Sequence, residues 1–175
     1  MKKSLFLLPL LAGLALCGCN DDKDKGNNDD GGNKGPELGE LIGKIEMKNP
    51  SGKAKDVTDT SCYFESGDCK VTIDKYNNEK DLVSTAVSAS GKNEFRLYYG
   101  MKAVLSCSKE FSAFKVVTTT YSDSKYVYDS PNFENATAYF DGTCTTTVVL
   151  EESAKSFDSV YAYKQIRIDS IEFYK

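Results

Sequence analysis

Beyond Pro36 the chain is a succession of short runs rich in Val, Thr, Ile, Tyr and Phe, each cut off by a cluster of Ser, Asp, Asn or Gly. This punctuation restricts the fold more than any other feature, because runs of about four to eight such residues between turn-forming clusters read as strands. The spacing predicts strands over Leu41–Met47, Ser61–Phe64, Cys69–Asp74, Leu82–Ser88, Glu94–Tyr99, Lys102–Cys107, Ala113–Thr120, Lys125–Tyr128, Ala136–Phe140, Thr143–Leu150 and Gln165–Tyr174. Stretches with helical period of useful length are missing. Val71/Ile73, Phe95/Leu97/Tyr99, Val148/Leu150 and Ile166/Ile168 alternate with polar residues, as a half-buried strand requires. Ile171 and Phe173 are out of phase with Ile166 and Ile168, which predicts a bulge near Asp169-Ser170. Many strands at short spacing, without helices between them, predict an all-β antiparallel β-sandwich.

The region from Leu38 to Lys175 has the length of one domain and is long enough to bury a core unaided. Ahead of it the composition changes twice. Lys2 and Lys3 precede an apolar stretch from Leu5 to Leu16, too short for the roughly 20 residues that span a bilayer but suited to an export signal. The segment Leu16-Cys17-Gly18-Cys19 resembles the bacterial lipobox, with a large aliphatic at −3, a small residue at −1 and cysteine at +1. The resemblance implies a signal peptide over 1–18, removed before a lipidated Cys19. Cys17 fits less well, since bulky Leu16 would precede the cut, and a plain secretion signal is the other alternative. Residues 19–37 are then a lipidated cysteine and polar tether. Asn20–Gly35 holds nothing aliphatic or aromatic to bury and would span roughly 20–24 Å as a flexible coil. Asn20 is not the Asp of an inner-membrane retention signal, and "NDDKD" is similar to the acidic export signals of surface-displayed lipoproteins in some Gram-negative bacteria. The expected location is therefore the outer membrane, facing the cell surface or alternatively the periplasm.

The chain has 22 basic and 26 acidic residues, and loss of Lys2 and Lys3 would leave a formal charge near −6. With no concentrated Lys/Arg patch, such a surface repels phosphate backbones, and no nucleic-acid partner is expected. Histidine is absent, which excludes Ser-His-Asp and Cys-His catalysis and the commonest metal ligand. Carboxylate-pair hydrolysis is the common enzyme chemistry still open, and no cofactor is expected.

With Cys17 lost and Cys19 acylated, Cys62, Cys69, Cys107 and Cys144 remain, an even number that reads as two disulfides in an exported domain. The Ser66-Gly67-Asp68 turn makes Cys62–Cys69 the cheapest closure, with Cys107–Cys144 as the second. Loop entropy would give these about 2.5 and 4 kcal/mol. A four-thiolate metal site is the alternative, without the paired C-x-x-C arms it usually has.

From Cys69 onward, "CKVTIDKYNNE", "NEFRLYYGMKAVLSCS", "FSAFKVVTTTYS" and the closing "KQIRIDSIEFYK" follow an order that resembles a jelly-roll β-sandwich module of exported proteins of gut bacteria. The resemblance implies adhesion or glycan contact and no assigned catalytic residue. The Trp that usually stands beside its Gly-Thr edge is missing, with Cys144 nearby.

Eleven tyrosines and nine phenylalanines stand without tryptophan. An exposed tyrosine can stack on a sugar face while its hydroxyl hydrogen-bonds, so Tyr98, Tyr126 and Tyr128 are the candidate ligand contacts, against the plainer role of strand-forming residues on a wet sheet. Asp56, Asp59, Glu65 and Asp68 read as a solvated acidic face, and Arg96 and Arg167, the two arginines, as partners of carboxylates. The expectation is a lipid-anchored module that binds a glycan or a surface protein. The alternative is an accessory subunit of a surface assembly that pairs through a strand edge.

Overall fold

A computed structural model describes residues 35–48, 52–87, 94–128 and 135–175. The expected signal segment, the anchor at Cys19 and the tether as far as residue 34 lie outside the described residues. The elements are β1 (Leu41–Glu46), β2 (Ser61–Ser66), β3 (Cys69–Asp74), α1 (Val83–Val87), β4 (Phe95–Leu97), β5 (Lys102–Thr118), α2 (Tyr121–Tyr128), β6 (Ala136–Phe140), β7 (Thr145–Tyr161) and β8 (Ile166–Tyr174).

All strand pairings are antiparallel, and the fold is an all-β sandwich organised by β5 and β7. Each of these two strands runs for 17 residues and serves both layers. The first half of β5 pairs with β3, which pairs with β2. Its second half pairs with β8, which carries β1 and, further along, β4. β7 follows β5 through both halves, and β6 adds to its first half. The expected strands Lys102–Cys107 and Ala113–Thr120 are thus one strand, and the expected Thr143–Leu150 continues to Tyr161. Register shifts between Ser106 and Ala113 bend the β5–β7 pair, and the inward phase changes there from Ala103/Leu105/Cys107 to Phe114/Val116/Thr118. A bulge lets one strand turn from one layer into the other without ending.

The core fills the space between the layers. Phe111 stacks edge to face on Phe173 and Phe114, Phe114 meets Phe157, and Phe64 meets Phe95 across β2 and β4. Gly43 of β1 passes so close to β3 that a Cβ there would lie 2.6 Å from Cys69 Sγ; any larger residue would push the layers apart. The predicted bulge in the last strand is present: Val117 pairs with Ser170 but Thr118 with Ile168, so Asp169 is the extra residue. Its carbonyl accepts the N–H of Met47 and its side chain accepts the Thr119 hydroxyl at 2.8 Å.

Three expectations are corrected. Leu82–Ser88 was expected to be a strand, but Val83–Val87 is helical: Asn78 Oδ1 accepts the N–H groups of Lys80 and Asp81, which turns the chain, and Val83 and Ala86 share the buried face. Lys125–Tyr128, also expected as a strand, belongs to α2. The disulfide pairing differs too. The two-residue turn at Gly67-Asp68 pairs Ser66 with Cys69 and Cys62 with Ile73, which puts Cys62 and Cys69 at opposite ends of the hairpin, about 13 Å apart along the strand, beyond the roughly 7 Å a disulfide tolerates. Cys69 instead stands directly opposite Cys107 on β5 and is bonded to it. Cys62 is a free, buried thiol, and Cys107 is not the partner of Cys144.

Candidate functional site

Helix α2 covers one end of the sandwich, and its sequence dictates which residues it shows. The Thr120 carbonyl accepts the Asp123 and Ser124 N–H groups and starts the helix, and Asp123 in the first turn suits the positive end of the helix dipole. Asp123, Ser124 and Val127 are buried together, as positions i, i+1 and i+4 on one helical face must be. Ser124 Oγ lies 2.6 Å from Thr118 Oγ1, and the Thr146 hydroxyl donates to the Ser124 carbonyl at 2.9 Å. Arg167 on β8 donates from Nε to Asp123 Oδ2 at 3.0 Å and from Nη2 to Oδ1 at 3.1 Å, and also to Thr120 Oγ1. This forked ion pair fixes the helix to the sheet.

Along one flank of that inner face stand Tyr121 and Tyr128, 50% and 46% exposed. Seven residues are almost two full helical turns, so the two rings stand in line. Phe140 of β6 lies against both, with ring centroids 5.4 Å from Tyr121 and 5.9 Å from Tyr128. The result is a row of three aromatic rings.

Beside this row runs a groove of about 470 Å³. Tyr128 and Phe140 form one side, and Pro36 and Leu38 also line it. Lys115, Thr145, Thr147 and Tyr174 reach it from the outward face of β5, β7 and β8; they alternate with the buried Phe114, Val116, Thr146, Val148 and Phe173. Thr147 is the direct cross-strand neighbour of Lys115. Tyr174 donates its hydroxyl to Glu172 at 2.7 Å, and burial together with that carboxylate pushes its pKa well above the usual phenol range. The Lys115 ammonium sits 5.2 Å from the Tyr174 ring centroid. The groove therefore combines aromatic faces, hydroxyls and one cation, the mixture that a polar ligand with an apolar face can use.

Of the tyrosines expected as ligand contacts, only Tyr128 lines this groove. Tyr126 is half-buried against the core, and its ring is covered by the Lys164 ammonium at 4.9 Å. Tyr98 is packed against the core as well, and the outward residue of that pair is Tyr99, 61% exposed. Both arginines meet carboxylates as expected, Arg96 with Glu94 at 3.3 Å and Arg167 with Asp123. In the acidic group, Glu65 is held by Lys55 at 2.6 Å, which lowers its pKa, and Asp59 accepts the Ser84 hydroxyl. Among the described residues no set of three or more His, Cys, Asp or Glu side chains could hold a metal ion.

A larger groove, about 810 Å³, lies along the middle of β7 between Tyr76, Tyr161 and Lys102. Its most exposed ring is Tyr76, 55% exposed, which already meets a second ring and a cation. Tyr76 and Tyr161 are edge to face at 5.8 Å, and the Lys102 ammonium lies 4.9 Å from the Tyr76 centroid. In comparisons with known proteins, no family model matches this chain, no curated protein matches it, and no solved structure matches it.

Proposed function

We propose that this protein is a lipid-anchored binding module of the bacterial envelope whose ligand is a glycan, held in the groove between α2, β6 and the outward face of β5, β7 and β8. The observation that carries this reading is the row Tyr121–Phe140–Tyr128, of which Phe140 and Tyr128 line a groove shared with the hydroxyl-bearing Thr145, Thr147 and Tyr174. Pyranose rings have one apolar face and a periphery of hydroxyls, so an aromatic ring face beside hydroxyl donors and acceptors matches their chemistry. Pro36 and Leu38, where the expected tether joins the domain, also line the groove, so the ligand would be gripped at the root of the tether.

A glycan array probed with the full chain, and with Tyr121→Ala/Tyr128→Ala beside it, tests this. The wild type should retain at least one glycan, and the double variant should lose it while keeping its thermal midpoint within a few degrees, because both rings are half exposed. A wild type that retains none would move the reading to a subunit of a protein assembly. The anchor is tested separately: a palmitate label should be present in wild type and absent in Cys19→Ala.

A further inference from the structure

We infer that the groove selects an acidic glycan, with Lys115 receiving a sugar carboxylate while the sugar ring lies against the aromatic side formed by Tyr128 and Phe140. This rests on the glycan reading above and names its substrate class.

Lys115 is the one cation that lines the groove among the described residues. It stands between Phe114 and Val116, both fully buried, so its stem rises from the middle of the sheet and not from a freely moving loop. A lysine at such a position usually meets a carboxylate on the neighbouring strand. The candidate is Glu172, its direct cross-strand partner on β8. That carboxylate is engaged elsewhere: Oε2 accepts the Tyr174 hydroxyl at 2.7 Å, and Oε1 lies 3.5 Å from Lys44 Nζ on the far side. Lys115 has no ion pair among the described residues, and its ammonium rests over the Tyr174 ring.

The acid that also lines the groove, Asp141, forms no ion pair with Lys115 among the described residues. Its Oδ1 accepts both the N–H and the hydroxyl of Thr143, at 2.9 and 2.6 Å. Thr147, directly across from Lys115 on the β7 side, carries a hydroxyl. An ammonium and a hydroxyl on facing strands suit the two oxygens of one carboxylate, and a charge-assisted hydrogen bond is the stronger kind. A neutral sugar would leave the ammonium without an anion as the groove is covered, whereas a uronate supplies one.

The test uses the full chain in mild detergent with polygalacturonate, alginate and hyaluronate, each beside its carboxyl-reduced counterpart, in wild type, Lys115→Gln and Lys115→Arg. In wild type at least one polyuronate should bind tenfold or more tighter than its reduced form, and the difference should shrink in high salt. Lys115→Gln should bring the acidic polymer to the level of the reduced one, while Lys115→Arg should keep most of the preference. Equal affinity for acidic and reduced polymers would overturn the acidic assignment and leave the glycan reading standing. Lys115→Gln that still prefers the acid would also overturn it, by placing the anion elsewhere. Binding of no polymer, together with a blank glycan array, would overturn both. The comparison of acidic with reduced polymer needs only the wild type, so it holds even if a variant fails to fold.

Discussion

Replacing Asp123 by Ala removes the group that ties α2 to the sheet. The Asp123 side chain is 4% exposed and its carboxylate accepts two hydrogen bonds from Arg167. Removing one member of a buried pair costs about 3–5 kcal/mol, because the other charge is left without its partner. The Arg167 side chain is 30% exposed and keeps its contact with Thr120 Oγ1, so water can serve part of it and the lower end, about 3 kcal/mol, applies. With an unfolding entropy of about 2.1 cal/mol/K per residue, a domain of this size should lose about 10 °C in thermal midpoint. Circular dichroism melts of wild type, Asp123→Ala, Arg167→Met and the double variant would measure it. The double variant should be more stable than the sum of the two single losses predicts, since it leaves no uncompensated charge. A midpoint change under about 3 °C for Asp123→Ala, or strictly additive losses, would refute the reasoning, for then the forked pair would contribute no more than an exposed one.

The Cys69–Cys107 disulfide closes a separation of 38 residues, so Cys69→Ala/Cys107→Ala should cost about 4 kcal/mol in the loop-entropy account; non-reducing peptide mapping should recover Cys69 linked to Cys107, and a Cys62–Cys69 peptide would contradict the register of the hairpin. Burial pushes the Cys62 thiol from 9.0 up to about 12, so from pH 9 to pH 12 the unfolded chain releases a proton that the folded chain retains, and stability falls as pH rises. Between pH 8 and 10.5 this loss should reach about 2 kcal/mol. Urea unfolding should show it in wild type and not in Cys62→Ala, whose constant packing cost cancels in the comparison; parallel pH profiles would dismiss it.

The layers of this fold are written in local pattern. The phase slip between Ile166/Ile168 and Ile171/Phe173 is enough to place a bulge, and the bulge falls on Asp169 because only one added residue brings both pairs to the core. The length of β5 and β7 is not written that way. Ser108, Lys109 and Glu110 are exposed and polar and read as a loop, yet backbone pairing carries the strand through them with a change of register. The cysteine pairing was equally hidden, since it depends on a turn of two residues and not on the count of residues between cysteines. An eight-residue span suffices for a wide loop to close a disulfide, and a tight hairpin over the same span forbids it.

The site turns on one local conformation. In a strand, residues two apart share a face, so "YSDSKYVYD" read as extended chain pairs Tyr126 with Tyr128 and sends Tyr121 to the other side. In a helix, residues two apart point roughly 200° away from each other and residues seven apart align, so the same letters pair Tyr121 with Tyr128 and send Tyr126 to the other flank, where it is half-buried against the core. Helical propensity does not decide between these, because Ser, Asp and Tyr are middling helix formers. What decides is Arg167, 44 residues downstream of Asp123, together with Thr118 and Thr146, whose hydroxyls meet Ser124 only when Asp123 and Ser124 face inward side by side. In an extended segment those two neighbours would face opposite ways, and the ion pair and the hydroxyl contacts could not both form. The alignment of Tyr121 with Tyr128 is therefore a consequence of how the inner face of α2 is satisfied.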